Sequence, residues 1–311
     1  MVLFKAIESI LTVIIMICVG YYLTSKKWFD NKFSKTLAKL VTCVALPALM
    51  FSEIMGNFTK QKLIELSKGL IAPIMSIIIC YVISVIMSKM LSIERKRRGT
   101  FQSMFFNSNT IFIGLPVNMA LFGTKSISYV LLYYIANTTF FWTLGVFCIS
   151  KDSPKPAEKI LSIDTVKRIV SPPLLGFIFA VIFVLINIRL PKFMMDVCNY
   201  FGNLTTPLSM IFIGISIYSV KLRNIKLDKD MIGVILGRFV VSPLVMFLII
   251  FHMNLPVLMK EVFIMQSAMP VMTNAPIIAK AYDADSEYAA VMVTLTTILS
   301  MITIPIFMAL F

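Results

Sequence analysis

The 311-residue chain is 59% hydrophobic and only 14% charged, with a net charge of +14 and a mean hydropathy of +0.90. A soluble domain is nearer half apolar and a quarter charged, so these values exclude an ordinary soluble protein and describe a polytopic membrane protein. The basic excess lies in loops between apolar runs, where it orients a membrane protein and marks no nucleic-acid partner.

Roughly 20 apolar residues span a bilayer. On that rule ten segments are expected, at 3–23, 36–54, 67–88, 100–122, 127–149, 168–188, 200–220, 231–251, 258–281 and 287–310. The first is read as a span: the run Leu3 to Tyr22 is too long for a signal-peptide core, and no small-residue cleavage site follows it. Segment 2 carries Pro47, followed by Ser52, a minor binding candidate. Segment 4 contains Asn107-Ser108-Asn109-Thr110-Ile111-Phe112-Ile113-Gly114-Leu115-Pro116-Val117-Asn118, and segment 5 has Asn137 midway along it. The longest connection, about 150–167, holds Pro154 and Pro156 and predicts two five-segment halves, 1–150 and 168–311, joined by a linker at 151–167. Segment 8 carries Arg238, and segment 9 contains Gln266-Ser267-Ala268-Met269-Pro270-Val271-Met272-Thr273-Asn274-Ala275-Pro276.

Odd-numbered loops hold twenty lysines and arginines, including Lys35 and Lys39, against eight in the even-numbered loops and termini. That bias predicts a multi-pass protein of the cell membrane with both termini outside and the 150–167 loop in the cytoplasm. Five spans per half is an odd number, so the second half enters the membrane inverted. Pro47 and Pro207 lie 160 residues apart, and Pro116 and Pro270 lie 154 apart, in equivalent segments. The fold class read from this pattern is an all-α, ten-helix 5+5 inverted repeat with segments 4 and 9 broken at Pro116 and Pro270.

A proline inside a helix removes one donor and clashes with the carbonyl one turn back. In hydrocarbon the freed groups must be met by protein or by a water-filled cavity. Interrupted segments at matching places in two halves point to a transport site near the midplane. The amides after Pro116 and Pro270 would face that site and favour an anion. Asn109, Asn118, Thr273 and Asn274 would add side-chain donors, and Asn137 faces the bundle either as a ligand group or as a contact between helices. Arg238 lies roughly 10 Å inside segment 8, and two readings stand for it. Its chain can snorkel to the interface, or it is a charge partner for an acid or an anion.

Five cysteines form no CxxC pair and His252 is the only histidine, so no metal or cofactor is expected. No apolar segment carries a centred acid, which leaves a coupling ion (proton or sodium) open. The nucleotide-binding G-x-x-x-x-G-K-[ST] pattern is missing, and so are H-E-x-x-H and G-x-S-x-G, so neither an ATP-driven pump nor an enzyme is expected.

Asn109-Thr110-Ile111-Phe112-Ile113-Gly114-Leu115-Pro116 resembles the N-x-G-F-x-G-x-P stretch of the auxin efflux carrier family, and Ala268 to Ala275 resembles its A-M-P-x-x-T-N-A stretch. The tail from Ala289 to Pro305 resembles the family's last helix. The resemblance runs over the whole chain and implies a fold related to bile-acid sodium symporters and NhaA-type antiporters. It also implies crossed helices 4 and 9 that hold the substrate in a moving domain, elevator-like motion, and a homodimer. The central loop is short, as in bacterial members labelled malate or malonate permeases, so the auxin label is not carried over.

The expected function is a secondary transporter of small organic anions. The rivals are a sodium- or proton-coupled cation antiporter and a ligand-sensing receptor that moves nothing.

Overall fold

The computed structural model describes residues 2–153, 170–188, 190–219 and 227–309. Most of the expected 151–167 linker lies outside these residues, as do the side chains of residues 1–10, Lys5 and Glu8 among them. The described residues are helical, and their single extended pairing is an isolated antiparallel bridge between Ser108 and Val271. Among the described residues, six helices are long and apolar enough to cross a membrane: Lys32–Asn57, Ile71–Met90, Thr124–Ser150, Lys192–Ser219, Lys229–Phe251 and Ser286–Phe307. Exposed Ile71, Met75, Ile78, Val82 and Ile86 recur at helical spacing along Ile71–Met90. Such a stripe is stable only against lipid or another apolar surface.

In chain order the helices are α1 (Val2–Ser25), α2 (Asn31–Leu40), α3 (Leu46–Asn57), α4 (Lys60–Lys68), α5 (Ile71–Met90), α6 (Arg95–Phe106), α7 (Leu115–Phe122), α8 (Ile127–Phe140) and α9 (Val146–Ser150). They continue as α10 (Pro172–Leu185), α11 (Lys192–Asn203), α12 (Thr205–Ser219), α13 (Lys229–Leu236), α14 (Ser242–Phe251), α15 (Val257–Ser267), α16 (Ala275–Ala281) and α17 (Ser286–Ala309).

Three wide, π-type turns, at Val41–Ala45, Thr110–Gly114 and Gly237–Val241, each end two residues before a proline, at Pro47, Pro116 and Pro243. An extra residue in the turn moves aside the carbonyl that the proline ring would strike, so the helix continues through. This corrects the expected position of the first break. Segment 4 is not interrupted at Pro116; it parts at Asn107–Asn109, and helix resumes at Thr110. Segment 9 parts from Ala268 to Asn274, with Pro270 inside the gap and Pro276 in the first turn of α16.

Close backbone approaches divide the helices into two sets. α1 packs along α12, and α10 and α11 pack along α3. A Cβ at Gly214 would fall 2.6 Å from the Tyr21 nitrogen, and one at Gly176 would fall 2.7 Å from the Pro47 carbonyl oxygen. In the second set, a Cβ at Gly99 would strike the Cys148 carbonyl, and one at Gly114 would fall 2.9 Å from Gln266 Cδ. Small residues let membrane helices approach this closely. The first set comprises α1–α3 and α10–α12; the second comprises α5–α9 and α13–α17.

Polar groups staple the ends of the second set. Asp152 accepts from the amides of Gly99 and Thr100, both at 2.6 Å, and from Thr100 Oγ1 at 2.7 Å. Arg97 reaches Asp285 at 2.7 Å and Asp228 at 3.2 Å. Those two carboxylates also accept from the first-turn amides of α17 and α13, at Tyr288 and Met231.

Candidate functional site

The two gaps meet. The Asn109 amide donates to the Pro270 carbonyl at 2.8 Å, beside the Ser108–Val271 bridge. Each gap is then held by a side chain from the next long helix. Asn137 accepts from the Ser108 amide at 2.9 Å and donates back to the Ser108 carbonyl at 2.9 Å. Thr296 Oγ1 accepts from the Val271 amide at 3.2 Å and donates to the Met292 carbonyl at 2.7 Å. The backbone groups of Ser108, Asn109, Pro270 and Val271 freed by interruption are thereby satisfied within the protein, as buried polar groups require.

Asn109 opens the helix that resumes at Thr110. Its Oδ1 accepts from the Phe112 amide at 3.1 Å, while its Nδ2 is buried without a hydrogen-bond partner. Asparagine is a favoured helix cap, which explains why helix restarts here and not at Pro116.

Arg238 is fully buried, at 0% exposure. Its Nε donates to the Met269 carbonyl at 3.0 Å, Nη1 to Phe105 O at 3.0 Å and Ser242 Oγ at 3.3 Å, and Nη2 to Ser267 O at 2.6 Å and Met269 O at 2.9 Å. Of its two readings, snorkelling to the interface does not apply. The guanidinium turns inward because the carbonyls at the ends of α6 and α15 have lost their own partners and offer acceptors that an arginine fork can fill.

A cavity of about 600 Å³ opens beside the paired gaps. One wall comes from the second set: Ser108, Asn109, Tyr134, Thr138, Trp142, Thr273 and Asn274. The other comes from the first set: Lys35, Lys39, Thr42 and Cys43 on the α2 side, Ser171 and Pro173 at the start of α10, and Phe212 and Ser216 on α12. Phe112 and Phe212, both in its lining, pack directly against each other, with ring centroids 4.9 Å apart. Among the described residues, Lys35 and Lys39 are the only charged ones in this lining. A second cavity of about 600 Å³, at the opposite ends of the same helices, is lined by Asn57, Lys68, Lys125, Tyr129 and Asn254 among others.

Of the residues singled out from sequence, Asn109, Thr273 and Asn274 line the first cavity. Pro270, Asn137 and Arg238 lie behind its wall, in contact with the gap backbone. Asn118 donates to the Gly114 carbonyl at 2.7 Å, and Ser52 to the Leu49 carbonyl at 3.2 Å; both are buried, and neither they nor Pro116 are in the cavity lining. Sequence reading passed over Thr296, Lys35 and Lys39. The lysines stand four apart on a short helix ahead of an apolar run, a spacing that puts both on one face.

A family model described as "Membrane transport protein" matches residues 5–308. The chain belongs to this family. It is the auxin efflux carrier family to which the two gap sequences pointed. An uncharacterized transporter of Methanocaldococcus jannaschii is 24% identical over 304 residues, covering 96% of each chain. One of Methanothermobacter thermautotrophicus is 24% identical over 316 residues, covering 98% of each. Within the family motif, Gly114 is the position where segment 4 presses on Gln266, whose Nε2 donates to the Thr110 carbonyl at 3.3 Å. Thr110 is buried and lines the cavity.

Proposed function

We propose that this transporter carries small organic anions, binding them where broken segments 4 and 9 cross. The observation that carries the reading is Asn109, a residue of the cavity wall whose buried Nδ2 has no hydrogen-bond partner, in a lining whose only charges among the described residues are lysines. A buried amide donor left unpaired is costly, so a ligand acceptor is its natural complement. The lysines add a positive potential that gathers anions. Among the described residues no carboxylate lines the cavity, which weighs against cation exchange.

The fold in this reading is the ten-helix, 5+5 inverted repeat. Asn137 on segment 5 and Thr296 on segment 10 support it, because they do the same work at equivalent places. The two helix sets support elevator-type movement. The close glycine approaches named above fall within one set or the other, and the cavity lies between the sets.

Uptake into proteoliposomes of labelled malate, malonate, pyruvate and indole-3-acetate, under sodium, pH and voltage gradients, tests the proposal. Saturable flux of one acid, lost in Asn109→Ala and reduced in Asn274→Ala, is expected. Wild-type flux in both variants removes the site assignment, and no flux of any acid removes the anion reading.

A further inference from the structure

We propose that Arg238 is the positioning residue that lets the cavity prefer a charged carboxylate over its uncharged analogue. This rests on the anion reading above. Arg238 touches no ligand; it acts through the backbone of the two gaps.

All five of its N–H donors are engaged, with the carbonyls of Phe105, Ser267 and Met269 and the hydroxyl of Ser242. Among the described residues no carboxylate forms an ion pair with it. Its acceptors are neutral, but they sit at the C-terminal ends of α6 and α15. Each such end carries about half a negative charge. Two ends together present about one negative charge at the paired gaps. A guanidinium, which stays protonated inside proteins, offsets that charge.

The link to the cavity is short. Arg238 holds the Met269 carbonyl; the next residue, Pro270, accepts from the amide of Asn109; Asn109 lines the cavity. Without the guanidinium the same carbonyls would repel the ligand that Asn109 Nδ2 is placed to receive.

Lys35 and Lys39 offer a rival source of the same preference, and burial separates the two. The lysines are exposed, and salt at about 1 M screens exposed charges beyond about 3 Å. Arg238 has no accessible surface, so dissolved ions do not reach it.

The test measures ligand affinity through Trp142, which lines the cavity, in full-length protein carrying Trp28→Phe. The probes are malonate with malonamide and phenylacetate with phenylacetamide. In the parent protein the acid is expected to bind at least ~10-fold tighter than its amide, equivalent to about 1.4 kcal/mol. That ratio is expected to survive high salt and the Lys35→Gln/Lys39→Gln double substitution. Arg238→Met is expected to collapse the ratio with the amide's affinity kept, and Arg238→Lys to restore most of it. Equal loss of acid and amide in Arg238→Met reduces the residue to a structural brace and overturns the proposal. Loss of the ratio in high salt or in the lysine variant assigns it to Lys35 and Lys39, also overturning it. If Arg238→Met does not fold, the salt and lysine arms decide on their own. Absence of binding by either acid takes down the anion reading itself, a result distinct from the others.

Discussion

The amide of Asn109 donates to the carbonyl of Pro270 at 2.8 Å, so each interrupted segment completes the other. A single break in a membrane helix leaves polar backbone to be solvated. Two breaks set against each other supply much of that solvation from within the protein.

Asn137 and Thr296 finish the job, and their removal is expected to cost unequally. Asn137→Ala leaves the Ser108 amide without its acceptor and takes one of two donors from the Ser108 carbonyl, which keeps the Thr110 amide at 3.0 Å, whereas Thr296→Val strips one acceptor from the Val271 amide. Thermal unfolding in detergent is expected to show a loss of about 2–4 kcal/mol for the first and about 1–2 kcal/mol for the second. A larger loss for Thr296→Val would contradict the pairing described.

Cysteine labelling reports where water reaches. Cys43 lines the cavity, whereas Cys18, also exposed, lies on a helix beside exposed Ile15 and Val19. A charged maleimide is expected to modify a Cys43-only protein within minutes and to leave a Cys18-only protein in bilayers unmodified, since the reactive thiolate needs water. Equal rates at the two positions would mean the cavity is not the aqueous path.

Two glycines make a matched pair of opposite sign. A Cβ at Gly99 runs into the Cys148 carbonyl, while a Cβ at Gly56 meets nothing within 4 Å. Gly99→Ala is expected to destabilise by more than ~3 kcal/mol, because the added carbon drives α6 off Cys148 and disturbs the bonds to Asp152. Gly56→Ala, near the end of α3, is expected to be neutral or to stabilise by about 0.5–1 kcal/mol. Melting temperatures of the two variants check both signs.

Asp285 predicts an acid-sensitive contribution to stability. Burial pushes its carboxyl up, but the Tyr288 amide and the Arg97 guanidinium outweigh burial and hold it below the usual aspartate value. A carboxylate depressed in the folded state stabilises the fold above its unfolded pKa of about 3.9, and that stabilisation disappears as pH falls through the folded value. Asp285→Asn is therefore expected to cost about 1–2 kcal/mol at neutral pH, with the gap to wild type closing below about pH 4. A gap that stays constant through strong acid would rule the ion pair out as its source.

Much of the architecture was legible because lipid imposes one rule along the whole chain. Apolar runs such as Ile71–Met90 became helices, and the polar stretches around Asn109 and Asn274 marked the gaps. The location of the first gap was misread at Pro116. Proline has two outcomes in a membrane helix, a break or a widened turn, and only the cap at Asn109 tells them apart. Arg238 was ambiguous because its acceptors, Phe105, Ser267 and Met269, lie 133, 29 and 31 residues away. Thr296 is one of many threonines on its helix, and nothing local distinguishes the one that meets Val271. Lys35 and Lys39 were absorbed into a charge tally that orients the protein, although the same positions face the cavity.

The two walls of that cavity do not share an owner. Asn109, Thr273 and Asn274 belong to one helix set, and Lys35 and Lys39 to the other. Under the proposed movement the amide wall travels with the ligand and the lysines stay behind. The pull of those charges would then act only while the site faces them, so the two faces of one carrier would load the same anion at unequal rates. In that sense α2 would act as a rectifier, built from two lysines a single helical turn apart.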